Sequence, residues 1–229
     1  NDVGTYLDVY VQAPTWSATY HSQSNYPTLQ PGQSAPAYFM YKNTGNMPWY
    51  DSTSVGTAPA GSYPMHLATS HPINRSSGFG STWNANRNRP SFNFAAVYEA
   101  DGTTLAANQN VVQPGQIGKY SFTFTATGSQ APGTYREYFR PIREGTGDGG
   151  MNDPGTYLDV TVSKLNQAAW HAQGAAPNLK PTERYTSFIS YKNTGNNPWY
   201  DDLSIFAAPA GNYPMHLATW NPTNRASIF

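Results

Sequence analysis

The chain has 229 residues, with 13 Lys and Arg against 13 Asp and Glu, and no cysteine. A net charge of zero gives no electrostatic reason to seek nucleic acid or an anionic membrane surface, and a chain without thiols has neither a disulfide framework nor a thiolate metal site. Aromatic residues (14%) outnumber charged ones (11%), with 20 Gly and 19 Pro, a balance that suits short strands joined by turns better than helices rich in Ala, Glu, Lys and Leu.

Residues 5–11, Thr-Tyr-Leu-Asp-Val-Tyr-Val, read as a strand. Ala37-Tyr-Phe-Met-Tyr-Lys reads as the next one singled out, entering a turn at Asn43-Thr-Gly-Asn where Gly45 is free to take positive φ. Helix is scarce, the best candidates being single turns at Pro72-Ile-Asn-Arg and Pro222-Thr-Asn-Arg. The longest apolar-leaning run, Phe92 to Tyr98, falls far short of the roughly 18–20 residues of a membrane-spanning helix. Lys119 to Ala126 alternates, placing Tyr120, Phe122, Phe124 and Ala126 on one face. Thr134 to Arg143 and Thr156 to Val162 are further strands, following turns at Ala131-Pro-Gly and Asp153-Pro-Gly, among at least six or seven in all. Six or seven short strands at this spacing predict an all-β, immunoglobulin-like antiparallel sandwich. Its expected core holds Phe39, Tyr41, Tyr120, Phe122, Phe124, Tyr135, Phe139, Leu158 and Val160.

The sequence repeats itself. MYKNTGNMPWYD at 40–51 returns as SYKNTGNNPWYD at 190–201, an offset of 150, and Gly61 to Phe79 returns as Gly211 to Phe229. Gly4-Thr-Tyr-Leu-Asp-Val returns as Gly155-Thr-Tyr-Leu-Asp-Val at an offset of 151. The expected organisation is therefore modules in tandem: residues 1–11 as the last strand of a preceding repeat, 12–163 as a complete module (copy one), and 164–229 as the first half of the next (copy two). Copy two has no counterparts of 116–126, 134–143 and 154–162, so it cannot close a sandwich alone. Comparing copies also gives a facing test. Positions 39/189 and 41/191 stay apolar or aromatic whereas 40/190 is Met/Ser, which places Met40 on the surface.

Leu29-Gln-Pro-Gly, Tyr41-Lys-Asn-Thr-Gly-Asn-Met-Pro-Trp and Val112-Gln-Pro-Gly-Gln-Ile-Gly-Lys-Tyr with Pro132-Gly-Thr-Tyr-Arg-Glu-Tyr-Phe-Arg resemble the four-tryptophan domain. This is the immunoglobulin-like central domain of selective-autophagy cargo receptors, which also occurs in bacterial surface proteins and beside cell-wall hydrolases. The bacterial versions are the closer likeness, through His66-Leu-Ala-Thr, Pro72-Ile-Asn-Arg-Ser-Ser, Phe79 and Met151-Asn-Asp-Pro-Gly. The resemblance implies a sandwich used for scaffolding or recognition, without chemistry of its own. Phe39 and Phe139 stand where the receptor-type domain has tryptophans, so tryptophan-dependent recognition does not carry over.

No Gly-x-Ser-x-Gly, His-Glu-x-x-His or paired-carboxylate motif is present, and the chain reads as a non-enzyme with no catalytic residue. His66 and His216 are matched, as are His21 and His171; the first pair is expected to be structural, as are Arg75 and Arg225. Each Arg is expected to pin its loop through carbonyls or a carboxylate such as Glu137. Asp148, Asn152 and Asp153 form the one calcium candidate, oxygen donors on a Gly-rich loop; no other metal or cofactor is implied. Trp49, Tyr50, Trp83, Trp199 and Tyr200 are candidates for stacking on a glycan or a partner, set against the usual place of such a Trp at the end of a sandwich core. Asn74-Arg-Ser is a glycosylation sequon that copy two lacks. The expected function is a structural repeat of an extracellular filament, surface layer or adhesin-like rod, whose partners are adjacent repeats or copies of itself. The alternative is a module binding cell-wall glycan or protein within a larger surface protein or wall hydrolase. Both place the chain at the cell surface.

Overall fold

A computed structural model describes residues 4, 7–146 and 151–218. Among these the chain is nearly all-β. In order the strands are β1 (Ala18–Gln23), β2 (Thr28–Leu29), β3 (Ser34–Asn43), β4 (Trp49–Tyr50), β5 (Met65–Ser70), β6 (Ala96–Tyr98), β7 (Val111–Val112), β8 (Ile117–Thr125), β9 (Gly133–Arg143), β10 (Thr156–Val162), β11 (Ala168–Gln173) and β12 (Ile189–Asn193). Copy one forms two four-stranded sheets, ordered β1-β3-β8-β6 and β2-β10-β9-β5, with β4 and β7 as a separate short pair. Named strands pair antiparallel except β2, which runs parallel to β10.

Period-two patterning places the core between the two sheets. On β8, Tyr120, Phe122 and Phe124 are buried and Ser121 is exposed; on β10, Leu158, Val160 and Val162 are buried. The sheets meet through aromatic rings, Phe139 of β9 lying 5.4 Å from Phe39 of β3 and 5.1 Å from Phe122, centroid to centroid. A hydroxyl chain crosses the same gap. The Tyr41 hydroxyl donates to Thr156 Oγ1 at 2.5 Å, and Thr156 in turn donates to the Phe139 carbonyl at 2.8 Å. Burying a polar tip is tolerable only when it is paired in this way.

Of the expected core, eight residues are buried and Tyr135 is only half-buried. Tyr135 sits at the rim, where its ring packs on Phe79 and its hydroxyl donates to the Ala131 carbonyl at 2.8 Å. Met40 departs from expectation, being buried on the outer face of β3. Its sulfur meets the Ser22 hydroxyl at 3.2 Å beside the register shift in β1. At the same point of copy two, Ser190 donates to the Ala172 carbonyl at 3.2 Å. A methionine fills this place by packing and a serine by hydrogen bonding, so the Met/Ser exchange does not report exposure.

The expected helical turn at Pro72 is an ordinary turn, and the one at Pro222 lies outside the described residues. Helical turns occur instead at Val55–Thr57 and Ser204–Ala207. Each follows an aspartate that folds the chain just ahead of it: Asp51 Oδ1 accepts from the Thr53 and Ser54 N–H groups, and Asp201 Oδ1 accepts from those of Leu203 and Ser204. The long loop between β5 and β6 lies along the outer side of β5, where Leu67 and Thr69 N–H donate to Ser91 and Asn88 carbonyls. Every residue of β5 is buried as a result.

Candidate functional site

The loop covering β5 and the end of β9 bring together polar groups that sequence spacing does not connect. His66 on β5 is buried with its ring edge-on to Phe92. Its Nε2 lies 2.8 Å from the Ser52 hydroxyl and its Nδ1 lies 3.0 Å from Glu144 Oε1. Arg89, also buried, grips Glu144 with Nε and with Nη2 (3.2 Å), while its Nη1 donates to Asn74 Oδ1 at 2.6 Å. Beside the group lies a polar cavity of about 510 Å³, lined further by Asn84, Asn86 and Asn88.

Burial pushes the Glu144 carboxyl upward, but hydrogen bonds from His66 and Arg89, with the charge of Arg89, outweigh it and lower it to about 2. An ionised carboxylate accepts, so Nδ1 carries a proton toward Glu144, while Nε2 and the Ser52 hydroxyl share the second hydrogen bond. This is the Ser-His-carboxylate order used for nucleophilic catalysis. Catalysis also needs donors aimed at a developing oxyanion, and the amides nearest Ser52 are committed. Ser52 N–H donates to the Phe92 carbonyl, and those of Thr53 and Ser54 donate to Asp51. In copy two, Asp202 stands at the place of Ser52, 2.9 Å from His216 Nε2. What repeats is a hydrogen bond to the histidine; the hydroxyl does not repeat.

The Glu144 shift predicts a pH dependence. Unfolded, the carboxyl protonates near its ordinary 4.5; folded, it stays ionised down to about 2. Between these values the unfolded state binds more protons, so stability is full above about 4.5 and falls as pH drops toward 2. Urea midpoints measured from pH 7 to pH 2.5 are expected to fall less steeply in the Glu144→Gln variant; identical slopes would contradict the assignment.

Arg75 Nη2 lies 2.6 Å from Glu137 Oε2 and its Nε donates to the Ser70 carbonyl at 3.0 Å, while its own carbonyl accepts from Thr69 Oγ1 at 2.6 Å. Arg225 lies outside the described residues. The aromatic candidates divide. Trp49 is fully buried, and Trp83 donates from Nε1 to the Thr123 carbonyl at 2.8 Å with its ring against Phe122, Phe124 and Phe139. Trp49 is a core residue with no free face, whereas Trp83 is half-buried and packs against the core from its margin. Tyr50 lines a cleft of about 290 Å³ with Trp16, Pro48, Pro59 and Tyr63, and the Arg143 guanidinium stacks 3.7 Å from the Trp16 ring. In sequence nothing marks this cleft, whose Trp16 is replaced by Asn166 in copy two. Trp199 and Tyr200 are half-buried, Trp199 in an apolar hollow with Ile189, Tyr191, Met215 and Leu217.

Two of the three residues of the calcium candidate are described, and their oxygens are engaged. Asp148 lies outside the described residues. Asn152 Oδ1 accepts from the Ala18 N–H and its Nδ2 donates to the Ala18 carbonyl, both at 2.7 Å. Asp153 accepts from Ser70 Oγ and from Gly155 N–H. Oxygens facing donors are poorly placed to ligate a cation, and among the described residues no group of three His, Cys, Asp or Glu could hold a metal. His21 and His171 are exposed, each Nδ1 3.2 Å from a serine hydroxyl. Asn74 carries the Arg89 contact above. No described helix is long and apolar enough to cross a membrane. Comparison with protein-family models and with curated proteins finds no match to this chain.

Proposed function

We propose that this chain is a non-catalytic structural repeat, a run of immunoglobulin-like sandwich modules that build an extracellular filament, surface layer or adhesin-like rod. The observation that carries the reading is complementary exposure. Tyr41, Met65 and Leu67 are at most 1% exposed, while their counterparts Tyr191, Met215 and Leu217 are 46%, 46% and 69% exposed. Conversely, Leu7 and Val9 are 87% and 76% exposed, while Leu158 and Val160, at the same places in an identical segment, are fully buried. Each partial copy holds apolar residues whose burial needs strands of the kind that the other part of copy one supplies. β11 and β12 keep the register of β1 and β3, including the shift after Trp170 and Tyr20, so copy two has the first half of the fold without its cover. A sheet face of this kind is unfavourable in water, and serial repetition covers it. The Ser52-His66-Glu144 chain fits this reading as a clamp between a turn, β5 and the end of β9.

The test is completion. Because Phe229 aligns with Phe79, residues 80–163 can be appended after Phe229 to continue the repeat. Amide exchange at Tyr191 and Met215 is expected to slow at least about 100-fold, since opening would then require cooperative unfolding. Exchange as fast as in the parent chain would refute serial modules. The second reading, a module binding wall glycan or protein, draws on the Trp16-Tyr50-Tyr63 cleft, and saturable binding of a wall glycan abolished by Tyr63→Ala would favour it.

A further inference from the structure

The repeat shows one turn twice. In copy one, Asn46 holds the segment that leads into β1: Nδ2 donates to the Ala13 carbonyl at 2.9 Å, Oδ1 accepts from Thr15 N–H at 2.7 Å, and its own N–H donates to the Thr15 carbonyl at 3.2 Å. In copy two, Asn196 does the same with Ser163 (3.0 Å), Leu165 (2.7 Å) and the Leu165 carbonyl (3.1 Å). Gly45 and Gly195 make this possible, because a Cβ at either would run into the carbonyl oxygen of Thr15 or Leu165. One bond differs. Asn196 Nδ2 also donates, at 3.0 Å, to the carbonyl of Gln130, in the turn between β8 and β9 of copy one. Among the described residues Asn46 makes no such bond.

A primary amide has two N–H donors and one acceptor, and Asn196 uses all three on two pieces: the connection out of β10, at Ser163 and Leu165, and the far turn of copy one at Gln130. The connection, residues 163–167, is held at both ends. Ser163 N–H donates to the Leu29 carbonyl at 2.9 Å, and the Gln167 carbonyl accepts from Thr194 N–H at 3.0 Å. A linker tied at both ends and gripped in the middle has little slack.

From this geometry we infer that Asn196 is the latch of the joint between successive modules, and that Asn46 is the matching latch for the β8–β9 turn of a preceding repeat. Successive modules then stack at a fixed angle, as segments of a stiff rod rather than beads on a string. The inference rests on the serial-module reading and adds the interface that orients the modules.

The chain has no cysteine, so Ala107→Cys and Lys192→Cys, both at exposed positions, accept two spin labels without competition. Electron-electron double resonance on the full chain is expected to give one narrow distance distribution. Asn196→Asp keeps the acceptor for Leu165 N–H but removes both donors, and is expected to widen the distribution at least twofold. Asn46→Asp, which alters the same turn where no module contact is made, is expected to leave the width unchanged. An unchanged width in Asn196→Asp, or equal widening in both variants, would overturn the latch. Retained slow exchange at Leu165 and Thr194 N–H shows that Asn196→Asp keeps its local fold; if it does not, Asn196→Ser, which keeps a short acceptor, replaces it under the same criterion. Failure here leaves the serial-module reading standing, because that reading is judged on protection of Tyr191 and Met215 in the extended chain.

Discussion

Phe139→Ala is expected to destabilise the chain by about 3–5 kcal/mol, the range for truncating a buried Phe in a packed core. Phe139 lies within 6.0 Å of four rings, those of Phe39, Trp83, Phe122 and Phe124, and so touches two strands of the facing sheet and the loop between β5 and β6. These neighbours cannot easily close over a cavity. Phe39 and Phe122 are fixed by the β3–β8 ladder, and Trp83 is tethered through Nε1 to Thr123. Urea unfolding should show a lower midpoint with an unchanged slope. A loss below about 1 kcal/mol would mean that the sheets do not pack through this residue.

Arg75→Met is the second large effect, about 3–5 kcal/mol, because it strands a charge. Glu137 shares its face of β9 with Tyr135 and Phe139, and its side chain is 7% exposed. Arg75 Nη2 is its one hydrogen-bond partner among the described residues. A buried carboxylate deprived of its partner suffers the full desolvation penalty. The double variant Arg75→Met with Glu137→Gln should recover a large part of the loss, since it removes the charge together with its partner. A double-mutant cycle measures this coupling; a coupling near zero would reduce the pair to a surface contact.

β3, β8, β9, β10 and most of the core were legible through alternation and cross-copy comparison, whereas β1 and β5 were not singled out and residues 7–11, expected to be part of a strand, form none. β8 and β10 declare their inner faces through Tyr120, Phe122, Phe124, Leu158 and Val160 alone. Arg75 with Glu137 was anticipated from donor chemistry, although 62 residues separate them. What stayed hidden depends on long-range assembly. Ser52, His66 and Glu144 meet because β4, β5 and β9 end at one place, and no spacing motif encodes that meeting. The Trp16-Tyr50-Tyr63 cleft is likewise built from β4 and two separate loops. Met40 misled because the register shift in β1 creates a place that suits a thioether or a hydroxyl equally. Trp49 looks like a recognition surface in sequence, and only packing reveals it as core.

The pairing of Asn152 with Ala18 bears on how such molecules meet one another. Ala18 lies on β1, the outermost strand of its sheet, and the amide takes up the N–H and C=O that point away from β3. A side chain there imitates a neighbouring peptide and denies the position to any foreign strand. The other sheet margins are similarly unreceptive, β2 having two residues and β6 three, with the covering loop bonded along β5. Open margins are where β proteins aggregate sideways. With those margins of copy one blunted, crowded copies of its two sheets would resist sideways fusion into amyloid-like sheets.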